Sequence, residues 1–376
     1  MSELSNLFPD TYQTSRQRFR QDIHEIQQHW PQAKLSSHLL AGDDDLSIDW
    51  IYTDALGKNE RVLILTIAEH GVEGYVGSAM QQHFIEQFLP RLNPHNTGLL
   101  LVHAINPWGM KYHRRVNASN VDLNRNFIWG EVFDPNFNPD YDRVQRTLNP
   151  ERVIHSLGVS NLIFYGELTG LVARMGKKGF QHARLLGQYR YPKGLHYGGT
   201  GYQEETRTLI HLYRQTLSAF EQIVHLDMHT GYGPRYQMSL VNSALETISS
   251  QEFVEKFNYP LVVAANPDEF YPIQGDMIDY VYALWQNEFP EKRLYATSFE
   301  FGTLGDDLSG MVNSPRAMVN ENRLFWFGAV DEQIEERVKR DFEELFNPSA
   351  EDWRAKAVAD SDQAFEGILG AYGYLL

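Results

Sequence analysis

The 376-residue sequence predicts an α/β fold, a central sheet with helices on both of its faces. Three observations lead there. Continuous apolar runs at 61–68 and 99–105 suit strands buried on both sides. Segments of helical period alternate with such runs along the chain. No internal repeat and no linker rich in Gly, Ser or Pro divides it, so one domain over 1–376 is expected, with an insertion around 130–205.

The elements follow in order. Residues 10–29 are polar, with Phe19, Ile23 and Ile26 at helical spacing, which predicts a surface helix. Residues 47–53 alternate as a half-buried strand, and 61–68 form a fully buried one. A helix is expected over 77–89, then a strand over 99–105 that ends at Asn106-Pro107-Trp108-Gly109. The Pro- and Asn-rich stretch 133–149 reads as a long loop, and 153–174 is open between strand and helix. A helix over 204–222 precedes strands at 223–228, 261–265 and 294–301. One long amphipathic helix over 320–345 closes the pattern.

Composition narrows the function. Acids outnumber bases by 49 to 33, and the net charge of −16 repels phosphate backbones, which argues against nucleic acid. No apolar run approaches the ~20 residues of a membrane span. The first residues lack a basic segment followed by an apolar one, so a cytoplasmic protein is the default expectation. Cysteine is absent, so any metal must sit on His, Asp or Glu.

Four segments carry chemistry. Ala68-Glu69-His70-Gly71-Val72-Glu73 follows a buried strand, where ligands gather in α/β sheets, and its spacing can bring an imidazole and a carboxylate to one ion. His225-Leu226-Asp227-Met228-His229-Thr230-Gly231 ends a second strand in histidine. Two histidines and a glutamate make the donor set of a hydrolytic zinc site. Glu300 stands alone in the apolar strand Thr297-Ser298-Phe299-Glu300-Phe301, an expensive place for a carboxylate without a task. Arg114-Arg115-Val116-Asn117 and Asp122-Leu123-Asn124-Arg125-Asn126 cluster guanidinium and amide groups suited to an anion.

In this order the segments resemble the zinc carboxypeptidase family, including its succinylglutamate desuccinylase and aspartoacylase branch. The likeness spans roughly residues 60–305 in separate pieces. It implies a mixed, mostly parallel sheet and a bound Zn2+ held by His70, Glu73 and His229. It also implies Glu300 as general base and Asp122 as the group orienting His70. Asn124 and Arg125 would hold the substrate's free carboxylate. Arg115 would steady the oxyanion, with Arg114 as rival. Tyr271 would match a mobile tyrosine, and Ile278 an apolar pocket floor. The substrate implied is a small peptide or an N-acyl amino acid; nothing in the sequence fixes the oligomeric state. The chain departs from the family at Gly231, inserted after His229-Thr230, and over 133–201, where 197–201 (Tyr-Gly-Gly-Thr-Gly) suits a lid.

Plainer readings stand beside these. His225 and Asp227 are more simply core polar residues than a second metal site. His83, His103, His113, His155, His182, His196 and His211 have no arguable partner spacing. Trp108, Trp129 and Trp285 read as core aromatics. A non-catalytic binding protein on the same scaffold would have no need of Glu300 beside a full ligand set, which favours a hydrolase of an amide next to a free carboxylate.

Overall fold

The computed structural model describes residues 3–42, 45–265, 273–305 and 308–376. Eight strands make one sheet: β1 (Lys34–Leu39), β2 (Ser47–Thr53), β3 (Arg61–Ile67), β4 (Thr97–His103), β5 (Gln222–Thr230), β6 (Met238–Asn242), β7 (Val262–Ala264) and β8 (Arg293–Phe301). Their order is β1-β2-β4-β3-β5-β8-β6-β7. β4, β3, β5 and β8 run parallel through the centre, and β6 pairs parallel with β7. The β1–β2, β2–β4 and β6–β8 pairs are antiparallel. The sheet is therefore mixed and mostly parallel.

The helices are α1 (Glu3–Leu7), α2 (Tyr12–His29), α3 (Gly74–Gln87), α4 (Pro107–Lys111), α5 (Tyr141–Leu148), α6 (Leu157–Leu185) and α7 (Glu204–Ala219). After them come α8 (Ser250–Phe257), α9 (Met277–Glu288), α10 (Leu308–Phe327), α11 (Glu332–Phe346) and α12 (Glu351–Ala371). They cover both sheet faces because central strands such as β3 are apolar on both. Leu63, Leu65 and Ile67 of β3 pack with Phe19 of α2, Tyr75 of α3 and Phe365 of α12. The alternate residues Val62 and Ile64 pack with Leu209 and Tyr213 of α7 and Val281 of α9. A third cluster joins α5 and α6 to α10 and α11, through Tyr141, Phe164, Leu168, Phe342 and Phe346.

Several elements differ from the sequence reading. The expected helix over 320–345 is two, α10 and α11, parted at Gly328, whose φ of +72° breaks the helix. The expected loop 133–149 contains α5, and most of the open stretch 153–174 is the first part of α6, which starts at Leu157 and bends at Gly176. β1 reads as polar because it is an edge strand with exposed residues. β6 has five residues, too few to show a period. α12 was not anticipated either. Trp129 is exposed and packs on Tyr280 rather than lying in the core. No helix among the described residues is long and apolar enough to cross a membrane.

At the first turn of α7 Glu205 is buried, and the Asn117 amide donates to both of its oxygens at 3.2 and 3.3 Å. Burial pushes its carboxyl up to about 7, against the pull of the backbone N–H and Asn117. The folded state thus keeps a proton that the unfolded chain releases near pH 4.3, so this residue costs stability increasingly as pH rises from there to about 7. Glu205→Gln keeps the shape without the charge. Its melting temperature should exceed that of the wild type at pH 8, and the gain should shrink at pH 5. Equal gains at both pH values would show that the carboxyl is not protonated by the fold.

Candidate metal centre

The site is assembled where β3, β5 and β8 end side by side. β3 stops at Ala68, which turns the chain with a φ of +60°, a strained value for a residue with a side chain. His70 then precedes the 3-10 turn Gly71–Glu73 that opens α3. Position 71 requires glycine. A Cβ there would lie 2.0 Å from the carbonyl carbon of Gly109, so this turn and the Asn106–Gly109 turn touch backbone to backbone. The contact is stitched by Gly71 N to Arg115 O at 3.2 Å and Val72 N to Arg114 O at 3.0 Å. Asn106 caps α4 by accepting from Gly109 N at 2.8 Å, and its amide donates to Arg115 O at 3.3 Å. The Asn-Pro-Trp-Gly motif is thus the clamp that sets Arg115 beside His70.

On this frame three donors converge. His70 Nδ1 lies 2.9 Å from Glu73 Oε1, and His229 Nδ1 lies 3.3 Å from His70 Nδ1 and 3.2 Å from Glu73 Oε2. A tetrahedral zinc with bonds of about 2.0–2.1 Å needs donors roughly 3.3 Å apart, so the spacing fits the ion. The far nitrogens are held as a metal ligand requires. Asp122 Oδ1 is 3.0 Å from His70 Nε2, and Asp227 Oδ2 is 2.5 Å from His229 Nε2, which turns both Nδ1 atoms to the shared space, where Arg115 Nη1 also lies 3.0 Å from His70 Nδ1. Glu69, His70 and His229 form a second possible grouping. Glu69, however, approaches His229 at Nε2, 3.4 Å away, on the side Asp227 occupies. One imidazole cannot turn both nitrogens to one ion, so His229 Nδ1 faces the space shared with Glu73 and Nε2 faces Glu69.

The charge balance points the same way. Glu69, Glu73, Asp122 and Asp227 are all buried, and both Glu69 oxygens lack a hydrogen-bond partner among the described residues. Arg115 answers part of this, with Nη1 3.0 Å from Glu73 Oε1 and Nη2 3.3 Å from Asp122 Oδ2. A site with such a surplus of buried carboxylate suits a divalent cation. Burial alone would raise Glu73, yet His70 and His229 hold it well below the usual carboxylate range. Glu300 pairs in register with His229 across β5 and β8, and its Oε1 accepts from Tyr232 N at 3.0 Å. Burial, then the charge of Glu73, pushes its carboxyl up to about 7.

The remaining predicted residues divide. His70, His229, Arg115, Asn124 and Glu300 line one cavity of about 60 Å³. Asn124 Oδ1 is spent on Met277 N at 2.9 Å, leaving its NH2 group. Arg114 turns away from the metal ligands, bonding Glu321 at 2.7 Å and stacking on Phe325. Arg125 does not line the cavity. Its Nε and Nη2 donate to Leu185 O at 3.1 and 2.7 Å and its Nη1 to Asn124 O at 2.6 Å, so the guanidinium is consumed by backbone. Ile278 is packed in the core among the α7 and α9 residues, while Ile273 and Val241 line the cavity. Tyr271 lies outside the described residues. Asp227 backs His229, and His225 bonds Thr66 at 2.9 Å, so the His-x-Asp-x-His pattern supports the first site.

The cavity residues that the sequence reading did not assign include Arg184 at the end of α6 and His196. Both belong to the insertion and carry no motif. The 197–201 segment packs on the Asp122–Asn126 turn, where the Asn126 amide donates to Gly198 O at 2.7 Å and Gly201 O at 3.0 Å.

A family profile described as "Protein of unknown function (DUF2817)" matches residues 8–360. The chain belongs to this family. No curated protein matches. Among solved structures it is similar to bovine thrombin-activatable fibrinolysis inhibitor in complex with tick carboxypeptidase inhibitor, at 13% identity over 86% of this chain and 96% of that one, with a TM-score of 0.44. It is also similar to carboxypeptidase A from Helicoverpa armigera, at 12% identity over 85% of this chain and 71% of that one, with a TM-score of 0.43. A succinylglutamate desuccinylase from Silicibacter sp. TM1040 gives 15% identity, coverage of 79% and 67%, and a TM-score of 0.37.

Elemental analysis should find one metal per chain, absent from His70→Ala and His229→Ala. Asp227→Asn should weaken metal affinity about 10–100-fold, as loss of an orienting group does. Glu69→Gln should keep the metal. Loss of metal from Glu69→Gln with retention in Glu73→Gln would reverse the ligand assignment. Arg125→Ala should lower the melting temperature by several degrees, since it strands two buried carbonyls, Leu185 O and Asn124 O; an unchanged melt would return Arg125 to the binding role.

Proposed function

We propose that this protein is a zinc-dependent hydrolase that cleaves an amide bond next to a free carboxylate. The observation that supports it most is the placement of Glu300 opposite His229 across two parallel strands, beside the His70, Glu73 and His229 donors. Zinc held by these three residues would supply a Lewis acid that polarises a carbonyl and acidifies water. The chain's own groups do the rest. Glu300 accepts a proton from the attacking water and returns it to the leaving amine as the C–N bond breaks. Arg115 sets positive charge beside the metal ligands, where the carbonyl oxygen gathers negative charge. The NH2 of Asn124 and the guanidinium of Arg184 supply donors for the carboxylate. The substrate class is a small peptide or an N-acyl amino acid.

The test is a panel of N-acyl amino acids and dipeptides, each as free acid and as amide, with the zinc-loaded protein. The free acids should be hydrolysed in preference. Glu300→Gln should retain zinc and lose about 10²–10⁴-fold in rate, because an amide cannot take the water's proton. Wild-type kcat/KM of the zinc-loaded protein should fall as pH drops and protonation removes the base, with a midpoint below that of the metal-free carboxyl, because a dication beside it favours the charged form. Near wild-type turnover in Glu300→Gln would overturn the assignment of this base.

A further inference from the structure

His196 lies in the insertion, and its placement is over-determined. Its φ is +55°, a backbone value that a histidine adopts at a cost. The loop is held there from several sides. Its own carbonyl accepts from Gln188 N at 3.0 Å, and the next carbonyl, Tyr197 O, accepts from Asp122 N at 2.8 Å. On the other side Tyr141 donates its hydroxyl to Leu195 O at 2.8 Å, and the Asn120 amide donates to Gly194 O at 3.1 Å. The imidazole is buried, lines the catalytic cavity, and sits with Nδ1 3.2 Å from Asp122 Oδ2. That carboxylate also holds His70 through its other oxygen. Nε2 of His196 is buried with no hydrogen-bond partner among the described residues.

The tautomer follows from these contacts. Asp122 Oδ2, the oxygen facing His196, already accepts from Arg115 Nε and Nη2, each at 3.3 Å. An oxygen that accepts from a guanidinium carries no proton of its own to give, so His196 Nδ1 must carry the hydrogen. Burial, which outweighs the pull of Asp122, lowers the imidazole to about 3, so the ring is neutral and Nε2 offers a lone pair. The cavity's acceptors include the carboxylate of Glu300, which faces the metal donors and takes the water's proton, and that of Asp276; other groups beside His196 are of the opposite kind. Arg115 and Arg184 only donate, and Asn124 has spent its oxygen on Met277 N. An amide next to a carboxylate has oxygens for those donors and one N–H that needs an acceptor.

We infer that His196 is a substrate-binding residue whose Nε2 accepts the substrate's amide N–H, so that the insertion selects secondary amides. This rests on the hydrolase reading only for the identity of the donor. N-acetylglycine and N-acetylsarcosine, which differ by N–H against N–CH3, probe the contact on the zinc-loaded protein. Nitrogen NMR of the histidines, assigned with His196→Phe, should show His196 with Nδ1 protonated and Nε2 bare across pH 6–9. N-acetylglycine should shift the Nε2 signal, and N-acetylsarcosine should not. Wild type should prefer N-acetylglycine by several-fold up to about tenfold, the range of one hydrogen bond. His196→Phe and His196→Ala, checked for an unchanged melting temperature and zinc content, should bring that ratio near one. A protonated Nε2, an unshifted signal with either compound, or an unchanged ratio in both variants would overturn the inference. If the shift appears and neither compound is ever hydrolysed, the contact stands and only the hydrolase reading falls.

Discussion

The Asp122 carboxylate is the junction through which the site is held. One oxygen fixes His70, and the other meets His196 and Arg115, while its backbone N–H takes the carbonyl of Tyr197. A carboxylate has lone pairs enough for all these donors, and full burial makes each contact count, because no water competes. The arrangement joins segments far apart in sequence: a strand-end turn, the arginine that follows α4, and the insertion. Removing this group would release a metal-facing imidazole, a cavity-facing imidazole and a guanidinium together. Effects of changes here should therefore be far from additive with changes at any of its neighbours.

The second layer of order comes from the sheet. A parallel register places residues at equal distance from the strand ends on one side of the molecule. His229 and Glu300 are neighbours for that reason alone, and Asp227 sits two residues before His229, on the same strand face. β5 thus shows one face of His225, Asp227 and His229 and another of Val224, Leu226 and Met228 in the apolar core. Part of the cost of the polar face is offset within it, Thr66 bonding both His225 and Asp227.

Residues with both a period and a chemical role were legible in the sequence. The buried strands announced themselves as continuous apolar runs, and His70, Glu73, His229 and Glu300 stood at strand ends beside glycine turns or inside apolar context. The insertion was not legible, because what fixes Arg184 and His196 is long-range packing and a strained backbone angle that no local pattern encodes. The break at Gly328 was missed since the apolar period continues across it. Arg125 shows a different limit. Its motif reads correctly as a local turn, yet the destination of a long side chain depends on what lies within reach, here the carbonyl of Leu185 at the end of α6. The last carbonyls of a helix lack intrahelical donors, and a buried guanidinium is well suited to them.

The contact of Gly71 with Gly109 bears on the cost of function. Two loops that touch through backbone alone have no side-chain rotamers to lose and no slack to take up. His70, Glu73 and Arg115 are thus set in place before any ion or substrate arrives, and little of the energy of association is spent on ordering them. The same economy makes the frame brittle. A single methyl group at Gly71 would drive the two turns apart, and the distance between the imidazole and the guanidinium would be set by a collision instead of by hydrogen bonds.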